Sequence, residues 1–148
     1  MRVNKVIFGT DHAGYELKEV LIAHLRQRGV EVEDMGCHSS ESCDYPDFCR
    51  PAAERAVAEN AYAVVLGGSG QGEAIVANKV RGARAAVINC ENMDLVELSR
   101  THNDANVLSF GARFVSPDFA CQALDIWLGT EFEGGRHQRR IDKIEPLD

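Results

Sequence analysis

Five short apolar runs alternate with segments whose apolar residues recur at helical spacing, and this alternation restricts the chain to few folds. When a strand, a helix and another strand follow one another, the two strands normally lie parallel. The alternation therefore predicts an α/β protein with a five-stranded parallel sheet and helices on both faces. The expected strands are Val3–Phe8, a short strand opening at Val30, residues 63–66, Ala83–Ile88 and Asn106–Phe110.

The segments between these strands carry helix signals. The first, Gly14–Arg28, places Leu17, Val20, Leu21 and Leu25 on one face. The others are Asp47–Glu59, a helix from Glu73 to about Asn78, one capped by Asn92, one from Ser116–Pro117 to Leu128, and a short basic helix in the tail. Trp127 is expected in the core, and no linker or repeat divides the chain. Residues 1–148 are therefore expected to form one domain.

Charge and composition argue against several classes of binding partner. The net charge is −7, from 16 Lys and Arg against 23 Asp and Glu residues, which opposes general binding to nucleic acid or anionic membranes. No apolar run approaches the ~20 residues of a membrane span. The N-terminus, MRVNKVIFGT, enters a strand without a signal-peptide cleavage pattern. We therefore expect a cytoplasmic protein with no nucleic-acid or membrane partner.

Cysteine usage agrees with that location. Five cysteines, an odd number, favour free thiols. Cys37, Cys43 and Cys49 recur every six residues, which is not the spacing of a zinc-ligand pair, so no metal site is expected.

The third expected strand runs into a loop rich in glycine. Gly67, Gly68, Ser69, Gly70, Gln71 and Gly72 precede Glu73, which opens a helix. Glycine lets the backbone approach a ligand, and a helix N-terminus directs N–H groups at it. Glu73 could then act as a base beside a bed of donors, as deprotonation of carbon next to a carbonyl requires. A tight turn followed by a harmless helix-start carboxylate is the simpler alternative.

Nucleotide-binding versions of this loop fail on spacing. A Walker loop needs Lys and Ser or Thr where Glu73 and Ala74 stand. A dinucleotide fingerprint needs its third glycine at Glu73.

Other polar residues are expected to converge on the loop, because ligands bind at the carboxyl ends of parallel strands. Asp11 and His12 follow the first strand, Arg113 follows the fifth, and His102 and Asn103 end the helix after the fourth. Simpler alternatives are that Asp11 caps a helix and that His102 offsets a helix dipole.

The tail contains the densest basic cluster. Arg136 and Arg140 are four residues apart, share a helix face and suit a phosphate dianion. A solvated terminal helix is the alternative.

With these residues in view, the chain resembles ribose-5-phosphate isomerase type B and the related allose- and galactose-6-phosphate isomerases. The resemblance covers nearly the whole chain. The matching segments are FGTDHAGYELK, DYPDF, GGSGQGEAIVANKVRGARAA, SRTHNDANVLSFGAR and EGGRHQRRI.

This resemblance implies a Rossmann-like three-layer α/β/α sandwich and a cofactor-free aldose–ketose isomerase. It also implies a homodimer or homotetramer with sites at the subunit interface. Many members carry a cysteine base at the position of Gly67, whereas this chain matches the subgroup with a glutamate at Glu73.

The resemblance also implies roles for the site residues. Glu73 is the base, Ser69 and the N–H groups of Gly68, Gly70, Gln71 and Gly72 hold the enediolate, and His102 with Asp11 assists ring opening. His12, Arg113, Arg136 and Arg140 bind phosphate, and Asn103 binds a substrate oxygen. Tyr45, compatible with a simple turn, belongs to residues 36–46, the expected wall of the pocket.

The most favoured function is isomerisation of ribose 5-phosphate to ribulose 5-phosphate through a cis-enediolate. Alternatives are a tetrose phosphate, or allose or galactose 6-phosphate, as substrate. A noncatalytic phosphosugar-binding module is disfavoured by the joint presence of Glu73, His102 and Asp11.

Overall fold

The computed structural model describes residues 2–145, and five parallel strands form its central layer. The strands are β1 (Lys5–Thr10), β2 (Glu31–Asp34), β3 (Tyr62–Gly67), β4 (Ala85–Ile88) and β5 (Val107–Gly111). Their order in the sheet is β2-β1-β3-β5-β4. The α/β class with a five-stranded parallel sheet is confirmed.

Helices cover both faces of this sheet, which completes the Rossmann-like three layers. They are α1 (Tyr15–Gln27), α2 (Pro46–Glu59), α3 (Gln71–Asn78), α4 (Met93–Thr101), α5 (Pro117–Gly129) and α6 (Arg136–Ile141), with a 3-10 turn at His12–Gly14. Helices α1, α4 and α5 pack on one face, and α2 and α3 pack on the other. None of the helices within residues 2–145 has the length and apolarity needed to cross a membrane.

The predicted caps are confirmed, and strand ends shift by one or two residues. The Asn92 side chain accepts a hydrogen bond from Asp94 N, and the Ser116 hydroxyl accepts one from Phe119 N. β1 runs two residues beyond the expected Phe8, because Gly9 and Thr10 pair with the end of β3.

One expected core residue is exposed. Val20 is 42% exposed, whereas Lys18 and Ile22 are buried together with Leu17, Leu21 and Leu25. Successive residues rotate by about 100° around a helix, so burial of Lys18 and Ile22 turns the inward face away from Val20. Lys18 tolerates burial because its Nζ donates to both Asp34 oxygens at 2.8 Å and to Cys37 O at 2.7 Å. Trp127 is fully buried, as expected.

Candidate functional site

A crevice opens where the strand order reverses. From β1 the chain moves outward to β2 and then returns to add β3 on the other side of β1. Loops that follow two such strands diverge at their carboxyl ends and leave room for a ligand. Asp11 and His12 follow β1, the glycine-rich loop follows β3, and Asp11 N donates to Leu66 O at 3.3 Å.

Hydrogen bonds hold the glycine-rich loop in one conformation. Gly70 has φ 79°, in the left-handed region that favours glycine. Ser109 Oγ donates to Gly70 O at 2.6 Å, and Asn89 Nδ2 donates to Ser69 O at 3.2 Å. Sequence reasoning missed these two anchors, although a serine inside an apolar strand and an asparagine just after one were visible signals.

Helix α3 begins at Gln71, so the N–H groups of its first turn have no carbonyl partner within the helix. Gln71 N donates to Ser69 Oγ at 3.2 Å, which orients this hydroxyl at the mouth of the loop. The arrangement presents an N–H-rich surface that suits an oxyanion.

Glu73 is almost completely buried beside this surface. It is 4% exposed, and its carboxylate fills the space that a side chain on Gly67 would occupy, so a β-carbon at residue 67 would overlap Glu73 Oε1. Burial raises the pKa of the Glu73 carboxyl, and the nearby Asp11 charge raises it further. A carboxylate with a raised pKa is a stronger base than an ordinary glutamate.

The neighbouring thiols are poor rivals for that role. Burial raises the pKa of Cys49 far above its usual range, and the charges of Glu73 and Asp11 add to the effect. Burial and contact with Cys37 raise the pKa of Cys43 to about 11. Both thiols are therefore protonated at neutral pH. All five cysteines lie within the described residues and are free.

Two further predicted residues lie over the loop, and His12 follows the neighbouring strand β1. The Arg113 guanidinium lies over Gly68, where a β-carbon would come within 3.0 Å of its Nη1. The Tyr45 ring lies over Gly72, and a β-carbon there would be 2.7 Å from the phenol oxygen. His12 Nδ1 accepts a hydrogen bond from Cys43 N at 3.3 Å, which leaves Nε2 to carry the ring proton.

Asp11 does cap a helix, as the simpler alternative held. Its Oδ1 accepts from Ala13 N at 2.9 Å and Gly14 N at 3.2 Å, at the start of the 3-10 turn. Asp11 is also 8% exposed and close enough to Glu73 to affect its pKa. Asp11 therefore caps the 3-10 turn and also lies near Glu73 at the carboxyl ends of the strands.

The expected convergence of His102 and Asn103 on this group is wrong for a single chain. Helix α4 runs from the carboxyl end of β4 back to the amino end of β5, so its C-cap, His102, lies at the opposite edge of the sheet. Asp104 confirms this placement, because it accepts from Arg2, which precedes β1, and from Arg84, which precedes β4. A strand length of about 17–20 Å separates the two edges.

The basic residues of the tail belong to this second group. The His137 ring stacks on His102 with centroids 4.1 Å apart. Arg136 and Arg140 lie on α6, four residues apart and exposed, as predicted. One chain therefore presents a carboxyl-edge group around Glu73 and an amino-edge group around His102.

Comparisons with known proteins identify the family. The sequence profile of the Ribose/Galactose Isomerase family matches residues 6–144. Ribose-5-phosphate isomerase B of Escherichia coli is 45% identical over 148 residues, 99% of this chain and 97% of that protein. The structure of ribose-5-phosphate isomerase B from Clostridium thermocellum matches with a TM-score of 0.91 and 47% identity, over 95% of this chain and 94% of that one.

A ligand-bound structure is also similar. Ribose-5-phosphate isomerase B from Mycoplasma genitalium, with bound ribulose-5-phosphate, matches with a TM-score of 0.90 and 35% identity, over 97% of this chain and 95% of that one. The chain therefore belongs to the Ribose/Galactose Isomerase family.

Proposed function

We propose that this member of the Ribose/Galactose Isomerase family interconverts ribose 5-phosphate and ribulose 5-phosphate without a cofactor. The observation that carries the proposal is the buried Glu73 carboxylate beside the N–H groups of the glycine-rich loop. The names of the relatives in E. coli and M. genitalium support the choice of substrate.

The chemistry follows from this pairing. Glu73 removes the proton from C2 of the open-chain aldose, and the electron pair forms a C1–C2 double bond while charge develops on O1. Ser69 and the N–H groups of Gly68, Gly70, Gln71 and Gly72 stabilise that charge. After a proton moves from O2 to O1, Glu73 returns its proton to C1. This step forms the ketose.

The remaining roles are proposed to involve a second copy of the chain. Within one chain, Glu73 follows the carboxyl end of β3 and His102 precedes the amino end of β5, so the two residues lie at opposite ends of the strands. We therefore propose a dimer, or a tetramer of such dimers, in which one subunit supplies Glu73 and Asp11 and the other supplies His102 and Asn103. Arg136 and Arg140 would accompany His102 and meet the phosphate with His12 and Arg113.

Exposed apolar side chains support this association. Ile75 on α3 is 62% exposed, Val87 on the edge strand β4 is 39% exposed, and Leu95 and Leu98 on α4 are 45% and 41% exposed. Ile75 lies two residues beyond Glu73, and Leu98 lies four before His102. A second subunit that brought its His102 to Glu73 would cover these side chains. Full burial of each contributes up to about 1.5–3 kcal/mol of hydrophobic free energy.

Two other assignments have less support. A tetrose phosphate or allose or galactose 6-phosphate would use the same base and differ in the depth of the pocket beside residues 36–46. A noncatalytic phosphosugar-binding module would have no need of a buried carboxylate, which costs stability. The cytoplasm remains the proposed location, because five free thiols suit a reducing compartment.

A substrate panel tests the proposal. We expect the highest kcat/KM for ribose 5-phosphate among ribose 5-phosphate, a tetrose phosphate, allose 6-phosphate and galactose 6-phosphate. Activity should survive exhaustive chelation and dialysis. A higher kcat/KM for a four- or six-carbon substrate would change the substrate assignment, and loss on EDTA treatment that one divalent metal restores would contradict metal-free catalysis.

A further inference from the structure

Three side chains with lone-pair donors meet at the C-terminal end of α4. One donor atom each from His102, Glu133 and His137 lies within 4.8 Å of the others. The two imidazole rings stack at an interplanar angle of 18°, and His137 Nε2 is 3.9 Å from Glu133 Oε2. Two imidazoles and one carboxylate are a ligand set that zinc uses when a fourth position stays open.

The backbone holds these groups together. Glu133 N donates to Thr101 O at 3.1 Å, which ties the segment after α5 to the end of α4. His137 N donates to Gly134 O at 3.1 Å at the start of α6. Zinc ligands lie about 2.0–2.2 Å from the ion, so two donors are at most about 4.4 Å apart and about 3.4 Å apart in a tetrahedral site. A metal lies in the plane of an imidazole ligand, so one of the two stacked rings must rotate out of the stack, together with the exposed Glu133 side chain, for all three donors to face one ion.

We propose that His102, Glu133 and His137 bind Zn²⁺ or a similar divalent transition metal, and that the bound ion inhibits the isomerase. Glu133 and His137 are four residues apart, whereas His102 lies 31 residues before Glu133, so the sequence shows only a ligand pair and the fold adds the third. Imidazole ligands favour Zn²⁺, Ni²⁺ or Cu²⁺ over Mg²⁺ or Ca²⁺.

Charged residues near the site both repel and attract a cation. Arg136 and Arg140 repel an approaching cation, whereas Glu133 attracts it. Coordinate bonds to two imidazoles offset the repulsion for a transition metal, but not for an ion that binds only oxygen.

Inhibition rests on the proposed function, because it assumes that His102 handles the ring-opening proton. A metal that occupies the lone pair of His102 removes the acceptor for that proton. Chelation would then raise the activity of metal-loaded protein, which is the opposite of its effect on a metal-dependent enzyme.

Binding is tested with CoCl₂ on the metal-stripped full-length protein in phosphate-free buffer, because the visible d–d absorption of Co²⁺ reports its ligands. We expect one ion per chain, an affinity at least about tenfold lower in both His137→Ala and Glu133→Gln, and no change in His24→Ala. His24 is the matched control because it lies on α1, away from the proposed site, and contacts Asp125 at 2.9 Å and Arg28 at 3.4 Å. Unchanged affinity in folded His137→Ala and Glu133→Gln would overturn the site. A thiolate-to-cobalt charge-transfer band would do the same, by placing the ion on cysteines.

Turnover is measured separately with ZnCl₂. At a concentration that halves the turnover of the unaltered protein, Glu133→Gln should keep nearly full turnover, and EDTA should restore the unaltered protein. Zinc binding without loss of turnover would overturn the inhibition. Absence of isomerase activity in the metal-free protein would instead contradict the proposed function, and the cobalt result would stand by itself.

Discussion

Burial of its carboxylate makes Glu73 a stronger base and also lowers the stability of the fold at neutral pH. Removing the ionised group from water disfavours its charge, so the folded protein binds a proton at Glu73 more tightly than the unfolded chain does. The free energy of unfolding therefore falls as pH rises from the ordinary value of 4.5 through the raised folded-state pKa. The residue proposed to carry the chemistry is thus expected to weaken the fold at neutral pH.

Replacement of Glu73 by glutamine tests both consequences. Glu73→Gln should lower kcat by roughly 10²–10⁴-fold with little change in KM, as expected for loss of a general base. The same variant should melt at a higher temperature than the unaltered protein at pH 7, and this difference should shrink as pH falls towards 4.5. Near-normal kcat in the folded variant would contradict the proposed base.

Gly67 is expected to tolerate substitution as poorly as Glu73 does. A methyl group at residue 67 would overlap the Glu73 carboxylate and displace it. Because a 1 Å misplacement can cost about 10²-fold, Gly67→Ala should lower kcat by roughly that factor. Gly129→Ala is the matched control, because a β-carbon there meets no atom within 4 Å. Equal kcat in the two variants would show that the carboxylate does not need this space.

At the scale of elements, helix α6 is proposed to carry the phosphate contacts. Arg140→Ala removes one charged hydrogen bond, worth about 1.5–3 kcal/mol, and should lower kcat/KM for the phosphosugar by roughly 10- to 150-fold. Turnover of the unphosphorylated sugar should barely change. Arg139→Ala, an exposed neighbour on the same helix, is the control. If both substrates lose activity equally while the melting temperature falls, α6 is structural instead.

Asp104 joins three elements at the amino edge of the sheet. Its carboxylate accepts from Arg2, Arg84 and Arg100 at 2.7, 3.0 and 2.8 Å. Burial by itself would raise the pKa of Asp104, but hydrogen bonds from Arg2 and Arg100 outweigh it and lower the pKa below 3.8. The stabilisation is therefore present above pH 3.8 and is lost as pH falls through the lowered value.

Asp104→Asn should lower the free energy of unfolding by about 3 kcal/mol at pH 7, because it leaves the buried Arg100 and the half-buried Arg2 and Arg84 without their anion. Asparagine tolerates the φ of 46° at this residue, so backbone strain does not enter the comparison. The difference should diminish below pH 3.8. Denaturant unfolding at several pH values measures it, and a pH-independent difference would point to packing rather than charge.

At the scale of the whole molecule, the two separated groups predict that paired subunits share sites. Glu73→Gln and His102→Ala homodimers should each be nearly inactive. Mixed in equal amounts and allowed to exchange subunits at random, they should regain about a quarter of normal activity, because half of the sites draw Glu73 from an intact chain and half of those meet an intact His102. No recovery after proven exchange would place both residues in the site of one chain and contradict the shared arrangement.

The sequence by itself determined the features that depend on neighbouring residues. Periodicity of apolar residues sets strands and helices, Asn92 and Ser116 set helix starts, and a glycine-rich stretch before Glu73 predicts the loop and its acid. Side chains a few residues apart decide each of these, so no long-range information was needed.

Only the tertiary structure decided which residues meet. Strand order depends on how the connections pack, and this order places β1 beside β3. Helix α4 returns to the amino ends of the strands, so His102 lies at the opposite end of the sheet from Glu73. Burial of Lys18 and the stacking of His137 on His102 likewise join residues that no local pattern relates. Local periodicity predicts which face of an element is apolar, but the packing of whole elements determines which polar groups are brought together.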